Sequence, residues 1–209
     1  DVERSRGLGD VYKRQAVLVH DGAHNLLFSD PKVNDFISQW FCAYPIFQDN
    51  RVYRPYHLKH HRFTETKDDP DLSLSAPFPI KKDSFYRKIF RDLTGITGYK
   101  RYSQALNSIL NTEAKNSKEK LNRVWHKIHG FLITNTIIFF MISIFFHWSL
   151  FFLLWWLPAF TYYSLIIRIR NIAEHSVTPG NNNFDNTRTT LTNPLVRFLM
   201  APHLSLIHI

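Results

Sequence analysis

Forty residues, Ile128–Ile167, run without a single lysine, arginine, aspartate or glutamate. At about 1.5 Å per residue, that length suffices for two crossings of a hydrocarbon core roughly 30 Å thick. Trp148 and Ser149 fall near its middle, where a hairpin must turn, and tryptophan suits the membrane–water boundary. Two spans joined by a tight turn are therefore predicted. A hairpin buried in a soluble core is the alternative, and so long an uncharged run disfavours it. Upstream, Val33, Phe36, Ile37, Trp40, Phe41 and Tyr44 recur at helical spacing between Asp30-Pro31, which opens a helix, and Pro45, which ends it. This helix is too short to span and too apolar on one side to be solvated, so an interfacial position is predicted. Ser84–Leu93 repeats the pattern, with Phe85, Ile89 and Phe90 opposed to Arg87, Lys88 and Arg91. Ala16–Val19 reads as the end of an apolar helix, and Ser103–Asn122 as a polar surface loop or linker. Thr178–Pro194 reads as an Asn/Thr-rich loop, and Leu195–Met200 as the restart of an apolar helix.

The two ends of the chain have another explanation. The codons that can encode Asp10–Gln15 are the reverse complement of codons that can encode Leu204–Ile209. Inverted copies flanking a coding region look like translated sequencing adapters. Residues 1–15 and 204–209 are accordingly set apart, His208 with them, and the domain is expected to run over 16–203.

Charge changes the picture more than average composition does. A mean hydropathy of -0.23 would suit a soluble domain, but it averages an uncharged tract with polar flanks. The net charge is +9, or +8 without the first fifteen residues, which carry four basic and three acidic side chains. Arg123 and Lys127 precede the apolar tract and Arg168 and Arg170 follow it, while its tip carries no charge. By the positive-inside tendency both ends face the cytoplasm. The basic groups are spread over segments around a membrane element, which points to acidic headgroups or an acidic partner protein. No nucleic-acid module is visible, so nucleic acid is not expected as a partner. Cys42 alone excludes an intramolecular disulfide and a CxxC metal site; a packed thiol is expected.

Histidine supplies the candidate chemistry. Within Tyr56–Thr64, YHLKHHRFT, His57, His60 and His61 stand at i, i+3 and i+4. On a helix His57 and His61 nearly eclipse, whereas His60 and His61 diverge by about 100°, so one helix could offer imidazoles to two metal ions. Arg54-Pro55 suits the start of that helix. A solvated basic face is the plainer explanation of the motif taken alone. His20 and His24 form an HxxxH pair at i, i+4, which can bind a metal from one helical face, although Asp21 and Gly22 suit a plain turn equally well. The acidic loop Asp68-Asp69-Pro70-Asp71 could orient ligating imidazoles or simply be solvated. Asn171 and His175 are again i, i+4, directly after the last span. His126 and His129 are read as interfacial, His147 as lying at the hairpin tip and His203 as a loop residue.

The ordered set HDGAH, HLKHHRFT, a two-span hairpin and RNIAEH resembles the integral-membrane fatty acid desaturase and hydroxylase family over essentially all of 16–203. The resemblance implies an all-α fold, an integral-membrane helical bundle with a cytoplasmic, histidine-rich helical cap. It also implies a di-iron site ligated almost wholly by histidine. By motif, His20 and His24 match the first box, and His57, His60 and His61 the second. His175 matches the isolated ligand after the last span, and Asn171 the asparagine that approaches the metal. A third HxxHH box, which the family carries after a tract like TNPLVRFLMAPH, does not follow here. Six imidazoles without it are too few for two octahedral irons, so an inactive fragment lacking its first spans is expected. Two Fe ions and dioxygen are the implied cofactor and co-substrate. The implied partners are a membrane lipid or acyl substrate and a haem or iron–sulfur electron-donor protein. Trp155, Trp156, Tyr162 and Tyr163 are candidate walls of an apolar substrate tunnel. A hydroxylase or ketolase acting on a lipid or carotenoid is the sibling alternative, and a membrane zinc-binding protein the one from another class. The motif wording favours a bacterial inner membrane over an endoplasmic reticulum.

Overall fold

The computed structural model describes residues 8–64, 66–72 and 78–175. The expected loop 178–194, the helix restart at 195–200, His203 and the 204–209 segment lie outside them. Among the described residues the fold is all-α, with no strand. Helix α1 (Leu8–Ala23) contains the expected Ala16–Val19 stretch and the first histidine. It ends on Asn25, whose left-handed φ of 58° is one that asparagine tolerates, with Leu26 N–H returning to the Asp21 carbonyl at 2.9 Å.

Helix α2 (Pro31–Ile37) starts as the sequence predicts. The Asp30 side chain accepts from Lys32 N–H at 2.7 Å, and proline occupies the first turn. The run continues as a π-helical stretch, Ser38–Ala43, and a short 3-10 turn, Tyr44–Ile46. Its amphipathicity is inverted relative to a soluble protein. Asn34, Ser38 and Gln39 are buried, whereas Val33, Phe36 and Phe41 are exposed. Over Pro31–Phe41 polar side chains face protein and Val33, Phe36 and Phe41 face outward, in keeping with an interfacial position, while Cys42–Ile46 turn into the core.

Helix α3 (Asn50–Phe63) corrects one expectation: it begins at Asn50, four residues before Arg54-Pro55. Asp49 caps it by accepting from Arg51 N–H at 3.0 Å, and Pro55 is carried inside the helix. A good cap upstream outweighs the preference of proline for the first turn. Helices α4 (Lys82–Leu93) and α5 (Ile96–Leu110) meet at Gly95, which takes φ 81°. Helix α5 and the start of α6 (Ser117–Phe145) correct the expected 103–122 linker, leaving only residues 111–116 as a connection. One signal was present in the sequence. Asn116 and Glu119 form a capping box, with Glu119 N–H to Asn116 Oδ1 and Lys115 N–H to Glu119 Oε2 both 2.8 Å. Tyr102 gives α5 an apolar side, packing on Trp156 and Phe160.

Helix α6 is followed by a turn at 146–148 and by α7, which comprises Ser149–Phe151, a π-helical stretch Phe152–Trp156 and Leu157–Phe160. Helix α8 (Tyr162–His175) continues the second span. Residues Ser117–Phe145 and Ser149–Ala173 are each long and apolar enough to cross a membrane, which agrees with the predicted hairpin. Asn135 ties the spans together inside the apolar layer. Its Nδ2 donates to the Pro45 carbonyl at 3.2 Å and its Oδ1 accepts from Trp155 Nε1 at 3.2 Å. A core of Val19, Cys42, Ala43, Ile46, Phe151, Trp155, Ala159 and Tyr163 joins α1, the π-helical stretch of α2 and the second span. Cys42 is the packed thiol expected, and burial pushes it up to about 11.

Close backbone contact locks α5 to this span. A Cβ on Gly98 would run into the backbone carbonyl and Cα of Phe160, atoms that cannot swing aside. Gly98→Ala is therefore expected to destabilise the fold by about 1–3 kcal/mol through overpacking, read as a lowered Tm in detergent. An unchanged Tm would contradict the contact.

Candidate metal centre

Four imidazoles converge. His20 from α1, His24 just beyond it, and His57 and His61 from α3 bring one ligand atom each to within 4.8 Å of one another. Nε2 of His57 lies 3.1 Å from Nε2 of His24 and 3.0 Å from Nε2 of His61. Two nitrogens each about 2.1 Å from one ion, at right angles to it, stand about 3 Å apart, which the His57–His24 and His57–His61 spacings match; the widest spacing in the set, up to 4.8 Å, must close by a few tenths of an ångström around a single cation. The i, i+4 pairs explain the convergence: each helix presents two rings from one face, and the faces oppose.

His60 turns elsewhere, as its divergence on the helix requires. It is buried and its Nδ1 meets Asp69 Oδ1 at 2.7 Å, with Asp69 buried too. Donation to that carboxylate leaves the ring lone pair on Nε2, the form a metal ligand needs. Asp21 stands in the same relation to His20, 3.1 Å from its Nδ1. Asp69 therefore does what the acidic loop was expected to do, and Asp21 does more than make a turn.

His20, His57, His60 and Asn171 line one cavity of about 440 Å³. Asn171 Oδ1 is buried there with no hydrogen-bond partner among the described residues. A carbonyl oxygen left so in a polar cavity suits a cation or a water bound to one. His175 ends α8 one turn beyond Asn171, and the description does not extend to its side chain. Nothing brings His126, His129 or His147 to this centre. His129 Nδ1 donates to the Trp125 carbonyl at 3.0 Å, and His147 pairs with Ser149 at the hairpin tip at 2.8 Å.

The surroundings hold the His57 ring neutral and in place. Burial, and then repulsion from His20, His61, His24 and His60, push the His57 imidazole far below its ordinary value. Tyr53 stacks on the His57 ring at 4.9 Å and 13°. The turn carrying His20 and His24 is fastened from two sides, since Asn34 Nδ2 and an Arg54 guanidinium nitrogen both donate to the Gly22 carbonyl at 2.9 Å. Tyr53 and Asn34 were not singled out in the sequence, and Arg54 only as part of a helix start. Arg54 stands one turn before the HxxHH run, the one hint available. The linkage sign follows from the His57 depression. Unfolded histidine takes up a proton near 6.5 and the folded ring does not, so stability is present above that pH and lost below it. The metal-free chain is expected to lose about 1.4 kcal/mol per pH unit from this group as pH falls below 6.5. Unfolding monitored between pH 7 and 5 checks this, and a flat profile would contradict it.

Histidine boxes facing one another beneath a two-span hairpin narrow the possibilities, and a family comparison decides among them. The sequence model described as fatty acid desaturase matches residues 11–209. The chain belongs to the fatty acid desaturase family. No curated protein and no solved structure matches it. Membership of this family means desaturase- or hydroxylase-type oxidoreductase chemistry, and the apolar hairpin agrees with association with a membrane. The family typically uses two irons, and the cluster of four histidines is compatible with that donor chemistry.

Proposed function

We propose that this desaturase-family chain carries the di-iron centre of an acyl-lipid desaturase. His20, His24, His57 and His61 would hold one iron, and His60, Asn171 and His175 would contribute to the second. The observation that carries the reading is the division of the histidines. Four converge, while His60 turns away from them to Asp69, and the Asn171 oxygen, without a hydrogen-bond partner among the described residues, faces the cavity that His20, His57 and His60 share. A lone zinc site would explain the four histidines but not the second set. When bound, the iron pair supplies oxidising chemistry. Two hydrogens leave adjacent methylenes to form a cis double bond, and dioxygen takes up those two hydrogens, two donor electrons and two protons to give two waters.

The chain's own residues supply position and exclusion. Asp69 and Asp21 fix the tautomers of His60 and His20, and the buried His57 stays an unprotonated donor at neutral pH. A second cavity of about 430 Å³ adjoins the first, and both are lined by Gln48, Tyr53 and Tyr56. Its walls include Phe47, Val52, Ile109 and Phe131, with Lys127 at a polar edge. An acyl chain could lie there and reach past Tyr53 towards the irons. Of the four proposed tunnel residues, Tyr163 lines the inner cavity, Trp155 belongs to the core and Trp156 packs on Phe131.

The site lies at the end of the second span, where Arg168 and Arg170 follow the uncharged run, which favours the cytoplasmic side. A haem or iron–sulfur protein is the proposed electron donor, steered by the basic face, and a bacterial inner membrane the proposed location. Expressing the full gene in a host with saturated lipids, and profiling its fatty acids by mass spectrometry, tests the reading. A new double bond supports it, a hydroxyl or keto group shifts it to the sibling chemistry, and an unchanged profile with iron-loaded protein overturns it.

A further inference from the structure

Helices α4 and α5 carry an outward face that neither the hairpin nor the metal centre explains. Tyr86, Phe90, Leu93, Ile96 and Tyr99 lie exposed, two of them at 64% and one at 66%. Within each helix the spacing of three or four residues puts them on one face, Tyr86, Phe90 and Leu93 on α4 and Ile96 and Tyr99 on α5, on either side of the Gly95 elbow. Exposed Arg87 and Arg91 flank it on α4, and Lys100 on α5. A stripe this apolar is expensive in water.

Two contacts fix how deep it sits. Asp92, fully buried on the inner side of α4, takes Arg168 in a two-pronged pair, at 2.5 and 2.9 Å. Arg168 is the first charge after the uncharged run, so this pair holds α4 at the level where the second span leaves hydrocarbon. Gly98 packs against the Phe160 backbone, and Arg101 donates to the Ala159 carbonyl at 2.9 Å. Phe160 lies seven residues inside the run, at the break between α7 and α8. The elbow between α4 and α5 thus packs against residues inside the uncharged run. Neither helix is long enough to cross.

We infer that the elbow is a third membrane-inserted element, a re-entrant turn. Its Tyr86–Phe90–Leu93–Ile96–Tyr99 stripe meets acyl chains, and Arg87, Arg91 and Lys100 meet anionic phospholipid headgroups. Charge and depth agree on that occupant: cations stand beside the stripe, and tyrosines are among its members, as at a lipid boundary. The inference does not depend on which metal the histidines hold.

Nitroxide labels on Phe90→Cys and Tyr99→Cys, in protein reconstituted into phosphatidylcholine vesicles with and without phosphatidylglycerol, test it. Cys42 is buried and its thiol pushed up to about 11, so it stays unlabelled and can be left in place. The labels at 90 and 99 should be relaxed more by dissolved oxygen than by a water-soluble nickel chelate, and a Glu113→Cys label in the 111–116 connection should behave oppositely. Should either variant fail to fold, Tyr86→Cys reads the same face. The double variant Arg87→Glu, Arg91→Glu should retain phosphatidylglycerol over phosphatidylcholine on the order of fivefold less per reversed charge after detergent extraction. Labels open to nickel would show an aqueous face, and labels shielded from both reagents a face covered by protein; either overturns the insertion. Unchanged lipid retention in the double variant overturns the headgroup contact.

Discussion

Replacing His57 with alanine is expected to remove metal binding and turnover together. His57 is the hub of the cluster. Its Nε2 is about 3 Å from those of both His24 and His61, and burial first, then repulsion from its neighbours, keeps its ring unprotonated. Losing an outer hydrogen-bond partner of a ligand costs about 10–100-fold in metal affinity, and loss of the ligand itself should exceed that. The expected result is bound metal below detection and no product above background, with the helical content unchanged. His129→Ala serves as the comparison. Its ring packs among Trp40, Tyr44 and Trp125, away from the centre, and metal content should stay at the wild-type level. A His57→Ala protein with full metal content would show that the four rings are merely packed together.

The second large effect is on stability. Asp92→Ala should lower ΔG of unfolding by about 3–5 kcal/mol, because it leaves the Arg168 guanidinium without its partner in a mostly buried position. Thr97 loses its hydroxyl acceptor on Asp92 Oδ1, at 2.6 Å, in the same change. For a chain of this size the loss corresponds to a Tm drop on the order of 10 °C. The exposed pair Glu119–Arg123 is the contrast, and Arg123→Ala, which leaves the Glu119 cap in place, should leave the Tm almost unchanged. Equal effects of the two substitutions would mean that α4 is not pinned to the second span through Asp92.

Much of the fold and the site could be read from residue order because it depends on local periodicity. The uncharged run fixed the hairpin, and Trp148–Ser149 its turn. The i, i+3, i+4 spacing separated His60 from His57 and His61 before any tertiary contact was known. What could not be read depends on partners distant in the chain. The 103–122 segment looked like a linker because Lys, Asn and Ser dominate it, and its apolar side shows only once Tyr102 is seen against Trp156 and Phe160. Helix α3 starts before Arg54-Pro55 because Asp49 supplies a cap and Arg54 is recruited by the Gly22 carbonyl and by Asp35 at 2.5 Å. Arg168 was counted as a topogenic charge, and the structure shows it also as half of an internal ion pair. Gly22 seemed a turn residue, yet a Cβ there would collide with Ser38, so α1 approaches the π-helical stretch of α2 closely only because this position is bare.

The proposed chemistry rests on two sets of donors, the four converging imidazoles and, in the cavity they border, His60 with Asn171. Metal analysis of the purified full-length protein tests this most directly. About two irons per chain, falling to none in His57→Ala, is the result the arrangement predicts. About one zinc per chain, unaffected by His60→Ala, would contradict it.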